Sequence, residues 1–286
     1  MIKILVKLIL FLMLVVGASS FYIYHNTDIP SEDTLLSSSV NTDPAEQCIN
    51  IAEPTPIDRH GNLDIATWNI YKQTKDDWLS VLTTLTDRTE LLLLQEVSQS
   101  VELTQQLEIL KEAWVLSKAF VYEGEPIGVM NISAGYPISS CSYRLAEPLI
   151  KYPKSLLISH YLLSDSSQLL VINIHSVNFT LGLKAYRQQL EIVATAMNSH
   201  TGPIILAGDL NTWSQERLSY IQELVKQAGL TEAIPKDDSR TTFMGSPLDH
   251  IFYRELQLVN TESIVTDSSD HNPVKAYFRL QRKRPQ

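Results

Sequence analysis

Six times along this chain a short apolar run meets an acidic, amide or imidazole residue at its end, and no other feature constrains the fold as strongly. Asn69 follows Ile65-Ala66-Thr67-Trp68, Gln95-Glu96 follow Leu91 to Leu94, and His175 follows Val171-Ile172-Asn173-Ile174. Gly208-Asp209-Leu210-Asn211 closes Ile204-Ile205-Leu206, Asp249-His250 opens Ile251-Phe252, and Ser269-Asp270-His271-Asn272-Pro273 precedes Val274. Such runs read as buried strands. Strand ends gather at one edge of a sheet, where a carboxylate or imidazole is held rigidly and still reaches solvent. Taken singly, Asp270 is explained as a turn residue, Asn69 as a strand terminator and His175 as a satisfied core histidine. Six such positions in one chain point to a shared site.

Strands are expected at Leu63–Asn69, Glu90–Gln95, Val129–Ser133, Ser155–Leu163, Leu169–His175, Ile204–Ala207, Leu248–Tyr253 and Val274–Leu280. Apolar residues at three- and four-residue intervals predict helices over Lys75–Leu85, Ser98–Leu110, Lys184–Asn198 and Gln215–Ala228, with Gly229 as a stop signal for the last. The polar stretch Ser164–Gln168 joins two of the strands as an antiparallel hairpin, which argues against an all-parallel sheet. Two sheets packed face to face with helices outside would bury all of these runs, an α+β layered domain.

The amino terminus differs from the rest. Lys3 and Lys7 accompany an apolar run from Leu8 that Phe21 to Tyr24 extends, with Gly17-Ala18-Ser19-Ser20 between. Residues 1–24 therefore read as a signal peptide or signal anchor, which places the body outside the cytoplasm, secreted, periplasmic or membrane-anchored. Membrane association would run through residues 4–24. Residues 25–60, rich in Ser, Thr, Asp, Asn and Pro, read as a polar linker, and 61–282 as one folded domain. Cys48 and Cys141 are the only cysteines, and an exported address permits a disulfide between them. The net charge of −9 excludes a broad basic field for long polyanions. Only the tail Arg279, Arg282, Lys283, Arg284 is basic, and it reads as a solvated terminus.

The strand-end set supplies carboxylates at Glu96, Asp209 and Asp270, amide oxygens at Asn69 and Asn211, and no thiol. Oxygen-rich, thiol-free sites select Mg²⁺, with Mn²⁺ or Ca²⁺ as alternatives, over zinc. His175 and His271 beside them suit general acid and base work, since imidazole titrates near neutral pH. Metal, imidazole and amide together meet the demands of phosphoryl transfer.

In order and approximate spacing, Thr67-Trp68-Asn69-Ile70, Leu94-Gln95-Glu96-Val97, Gly208-Asp209-Leu210-Asn211, Leu248-Asp249-His250-Ile251 and Ser269-Asp270-His271-Asn272-Pro273-Val274 resemble the endonuclease/exonuclease/phosphatase (DNase I-like) superfamily. The resemblance runs from about Leu63 to Leu280 and implies a four-layer αββα sandwich with two mixed sheets flanked by helices. It implies Glu96 as principal metal ligand, Asn69 beside it, and Asp270 as a metal or nearby carboxylate. It also implies His271 as base or phosphate contact oriented by Asp249, with Asp209 and Asn211 positioning water and the scissile phosphate. His175 stands where DNase I-like and sphingomyelinase-like members carry histidine. Glu123 and Glu125 are the candidates for the carboxylate that orients it. Arg187-Gln188-Gln189-Leu190 matches an Arg-X-Gln-Leu pattern of the family, read first as structural. Pro126 and Ile127 stand where repair members carry an aromatic residue.

The expected function is that of an exported, divalent-metal-dependent phosphoesterase, with nucleic acid as the favoured substrate. A phospholipid, sphingomyelin or inositol phosphate is the alternative, and a non-catalytic binding protein of the same fold the second. Nucleic acid is preferred because no exposed aromatic hairpin for docking on lipid stands out.

Overall fold

The structure, a computed structural model, describes residues 11–12, 14–15, 17–18, 21–38, 46–110 and 112–281. Most of the expected signal segment, part of the expected linker and the basic residues Arg282, Lys283 and Arg284 lie outside the described residues.

Alternation along each strand sets the layers. Leu91 and Leu93 face one way into a core with Leu63, Ile65, Leu169, Val171, Ile205, Ala207 and Ile251. Leu92 and Leu94 face the other way, against Trp78, Leu82 and Leu85 of the helix Trp78–Thr86 and Leu103 and Leu107 of the helix Val101–Leu110. On the second sheet Leu170, Ile172 and Ile174 turn outward to Tyr186, Leu190 and Val193 of the helix Lys184–Ser199 and Ile221 and Val225 of Gln215–Gln227. Successive strand residues point to opposite faces, so runs such as Leu91–Leu94 are apolar throughout because both faces are covered. The result is the αββα sandwich the motifs implied.

The first sheet runs Thr27–Asp28, Ala113–Tyr122, Glu125–Ser133, Leu91–Ser98, Asn62–Asn69, Val274–Leu280, Leu256–Ser263, with Thr34–Ser37 also paired to Ala113–Tyr122. The second runs Thr231–Glu232, Asp249–Arg254, Ile204–Asp209, Gln168–His175, Pro153–Leu162, Ser139–Ala146, Cys48–Asn50. Both mix parallel and antiparallel pairs: Asn62–Asn69 lies parallel to Leu91–Ser98 and Gln168–His175 parallel to Ile204–Asp209. The expected hairpin is present between Pro153–Leu162 and Gln168–His175.

The segment read as a linker differs from that reading. Thr27–Asp28, Thr34–Ser37 and Cys48–Asn50 each add to a sheet edge, and Leu35 and Ile49 are buried between the sheets with Val115, Val129 and Leu157. A polar composition hid these strands because an edge strand needs only one apolar contact and hydrogen bonds to its neighbour. Cys48 and Cys141 are partners in register and form a disulfide with Cα atoms 4.1 Å apart, tying this segment to Ser139–Ala146.

The inner layer changes character toward one end. Beyond the apolar residues come amides: Gln95 Nε2 donates to Asn173 Oδ1 at 2.7 Å, and Asn173 Nδ2 donates to Asn131 Oδ1 at 3.0 Å and to the carbonyls of Leu94 and Met130. All three amides are fully buried. A buried amide without partners costs about 1–3 kcal/mol per group, so this network holds the two sheets in one register. Asn173→Ala should lower unfolding free energy by about 2–4 kcal/mol, from the lost partners and the small cavity. Urea titration should show a lower midpoint at nearly unchanged slope.

Candidate active site

One inward-facing position beyond the amides, the same inner faces carry the chemistry. Asn69 continues Ile65 and Thr67, His175 continues Val171 and Asn173, and Asp209 continues Ile205 and Ala207. Pairing sets His175 opposite Asp209 and Asp209 opposite Asp249 across three adjacent strands. Gly208 permits this row: its φ is +137°, and a Cβ there would lie 2.1 Å from the carbonyl oxygen of Ile174. No other residue fits that close approach.

Glu96 would break the pattern, because strict alternation from Leu93 and Gln95 would send it outward. It sits at a bulge between Leu94 and Val97 with φ +53°, a left-handed conformation unusual for glutamate, which re-aims its carboxylate into the site. His175 Nε2 then lies 3.7 Å from Glu96 Oε1 and 3.4 Å from Asp209 Oδ2. Asn69 Nδ2 donates to Asp209 Oδ2 at 3.2 Å, and the backbone N–H of Asn211 donates to Asp209 Oδ1 at 2.9 Å. Asn211, also left-handed at φ +49°, donates its side-chain amide to the carbonyl of Ser176. His271 Nδ1 is 2.7 Å from Asp249 Oδ2, and its Nε2 is 3.9 Å from Asp209 Oδ2. Trp68 Nε1 donates to the His271 carbonyl, and Ser269 Oγ donates to the Asn69 carbonyl, which locks the loop before Val274–Leu280 against Asn62–Asn69.

The expected residues thus converge, with Asp270 at the margin. Its side chain is exposed beside His271, and its carboxylate receives only Ser269 Oγ, at 3.4 Å, among the described residues. Glu123 and Glu125 do not orient His175: Glu123 accepts from Tyr22 Oη and Glu125 from Ser98 Oγ. The groups around His175 are instead Glu96, Asp209 and Lys154, whose Nζ is 2.8 Å from His175 Nε2 and 3.5 Å from Glu96 Oε1. Lys72 makes a second ion pair with Glu96. Neither lysine was singled out from the sequence, where Lys154 after Pro153 is indistinguishable from a solvated strand-edge lysine. Gln189 of the Arg-X-Gln-Leu pattern is structural as expected, accepting from the Val177 N–H and donating to the His175 carbonyl, while Arg187 lies over the Tyr220 ring.

Burial opposes charge on Glu96, but any positive charge on the His175 ring and the ammonium groups of Lys154 and Lys72 outweigh it and hold the carboxyl well below its usual range. Burial, reinforced by Lys154, keeps His175 neutral, so the lysines are the positive charge facing Glu96. Burial raises Asp209 to about 6 against the pull of His271, with Asp249 adding to the rise. For His271 burial is overcome by Asp249 and Asp209, which lift it to about 10. His271 is therefore an imidazolium at neutral pH. Of the two roles implied for it, base or phosphate contact, this charge state suits the second.

Among the described residues no three acidic, histidine or cysteine side chains form a ready-made metal cage. The donors nevertheless fit a hard divalent cation, which is commonly held by one or two carboxylates while keeping water. Glu96 is ionised, thiols are absent from the site, and Asp249 Oδ1 is buried with no hydrogen-bond partner among the described residues.

The chain matches the Endonuclease/Exonuclease/phosphatase family over residues 66–271. It is 37% identical over 272 residues to a UPF0294 protein of Vibrio campbellii, covering 94% of this chain and 95% of the relative. A UPF0294 protein of Yersinia pseudotuberculosis is 40% identical over 229 residues, 80% of this chain and 87% of that one. Similar solved structures include an endonuclease/exonuclease/phosphatase of Beutenbergia cavernae (TM-score 0.62, 19% identity, 77% of this chain and 72% of that one). Another is ANGEL2, a 2′,3′-cyclic phosphatase (TM-score 0.60, 18% identity, 77% and 95% covered).

The His271–Asp249 pair generates a pH prediction. Folding raises the proton affinity of His271, so its stabilising contribution is complete below the ring's ordinary pKa of 6.5 and is lost as pH rises through about 10. Asp249→Asn should bring the ring back toward 6.5 in an NMR titration and flatten the loss of thermal stability over that window. With its fold, its motif order and its strand-end residues all in agreement, the chain belongs to the endonuclease/exonuclease/phosphatase family.

Proposed function

We propose that this chain is an extracytoplasmic, divalent-metal-dependent hydrolase of phosphodiesters. The observation that carries the proposal is the convergence of Glu96, Asp209, His175 and the His271–Asp249 pair at one end of the paired sheets. The apolar amino terminus and the Cys48–Cys141 disulfide support an address outside the cytoplasm.

Glu96, with Asn69 and Asp270, would hold the cation, which when bound polarises a phosphoryl oxygen and offsets the charge that builds on the phosphate. Asp209 suits the base: at about 6 its carboxyl is ionised at neutral pH yet basic enough to accept a proton from the attacking water. The Asn211 N–H and Asn69 amide fix both its oxygens. His271 presents its Nε2–H as a positively charged donor to a phosphoryl oxygen, its other nitrogen held by Asp249. Lys154 adds a second positive donor beside neutral His175.

Glu96→Gln and Asp209→Asn should each lower kcat on bis-p-nitrophenyl phosphate by at least about a hundredfold. Because burial disfavours the Asp209 charge, Asp209→Asn should also leave the protein as stable as the parent or more so in urea. Folded, Mg²⁺-supplied protein that turns over no phosphodiester in a panel of nucleic acid, phospholipid and aryl esters would sink the reading.

A further inference from the structure

Beside Glu96 and Lys154 opens a cavity of about 240 Å³. Beyond the charged end its walls are apolar, formed by Phe120, Ile127, Ile150, Tyr152 and Phe179, with the Phe120 and Tyr152 rings 5.5 Å apart. Gly128 at its base has no room for a side chain, since a Cβ would lie 1.9 Å from the Ser117 carbonyl oxygen. The Ser155 hydroxyl in the wall is already committed to the Ser117 carbonyl. Such a wall offers apolar contact and few groups to bond the polar edge of a ligand.

The mouth is built rather than incidental. Buried Arg217 donates to the carbonyls of Val177, Asn178 and Asn211 and to Thr180 Oγ1, fixing the loop that carries Phe179. Buried Glu147 accepts from the Asn178 N–H, joining that loop to the turn that carries Ile150. Held this way, Leu149, Ile150, Phe179 and Leu181 nonetheless expose between 42% and 84% of their surface. An exposed apolar cluster beside a site marks an interaction surface.

The same end of the molecule carries residues 21–28. Phe120 is one residue from Val121 and two from Tyr122, which pair with Asp28 and Thr27 immediately after helical residues 21–25. Tyr22 Oη donates to Glu123 at 2.6 Å at that junction, and Phe11, Leu12, Leu14, Phe21 and Ile23 are exposed. Among the described residues no helix is long and apolar enough to cross a membrane. An apolar segment lying at a bilayer surface needs no full span.

Resting on the phosphodiesterase reading, we infer that the substrate is a membrane phospholipid. Its phosphate faces Lys154, His175 and His271, and the apolar part adjoining the phosphate enters the cavity. The rim of Leu149, Ile150, Phe179 and Leu181 meets the bilayer from which the lipid is drawn. Hydrolysis replaces one phosphorus–oxygen ester bond with a bond to water's oxygen, and the displaced alcohol leaves with the proton that water gave up. The net charge of −9 disfavours the long polyanion that is the competing substrate.

The test uses the full chain with Mg²⁺ on phosphatidylglycerols of increasing acyl length below their micelle concentrations, beside a single-stranded oligonucleotide. The expected result is kcat/KM rising about fourfold per methylene until the cavity is filled, with the rise flattened in Ile150→Asp and Phe179→Asp. Turnover that does not depend on chain length, a rise unaffected by both variants, or a preference for the oligonucleotide overturns the phospholipid assignment and leaves the phosphodiesterase reading standing. No turnover of any of these esters overturns the reading beneath it.

Discussion

The amide bridge Gln95–Asn173–Asn131 is what the site depends on, because it is where the sheets stop being held by apolar contact and start being held by directed bonds. Apolar packing alone tolerates small slides of one sheet over the other. A network of fully buried amides does not, since a slide would pull donors away from acceptors that water cannot replace. A slip of one residue along either strand would turn every side chain to the other face. The carboxylates and imidazoles lie one step beyond this network, so its geometry sets their separations.

Within the site, burial and neighbours push like groups apart. Glu96 and Asp209 are both carboxylates near His175, yet two ammonium groups hold the first ionised while burial lifts the second toward neutrality. The histidines divide the same way: His175 is neutral beside Lys154, and His271 is cationic beside Asp249. Pairs of titratable groups separated in this manner assign acid, base and electrostatic roles without any difference in residue type. The left-handed backbone at Glu96 and Asn211 and the crowded Gly208 are local costs that the surrounding sheets bear.

Much of the architecture was readable in advance. The eight expected strands and four expected helices are present with ends shifted by a few residues, because apolar runs covered on both faces and helical spacing are strong signals. Ala113–Tyr122, Ser139–Ala146 and Leu256–Ser263 were not expected. Ser139–Ala146 carries buried serines, Ser142 bonding to Ser117 and Ser140 to Ser159, and Leu256–Ser263 lies at a sheet edge with one face in solvent, so neither shows an apolar pattern. The edge strands between Thr27 and Asn50 were hidden for the same reason.

By itself the sequence determined which residues could carry chemistry and in what order they stand, since a strand-end carboxylate or imidazole is identifiable from the run before it. It could not show that Lys72 and Lys154 reach Glu96, that Glu123 and Glu125 do not reach His175, or that His271 is charged. It also gave no sign of the apolar cavity, whose walls come from four separate stretches of chain. Those facts depend on distances between residues far apart in sequence, and on the loss of water around them. Both come into being only when the two sheets close on each other.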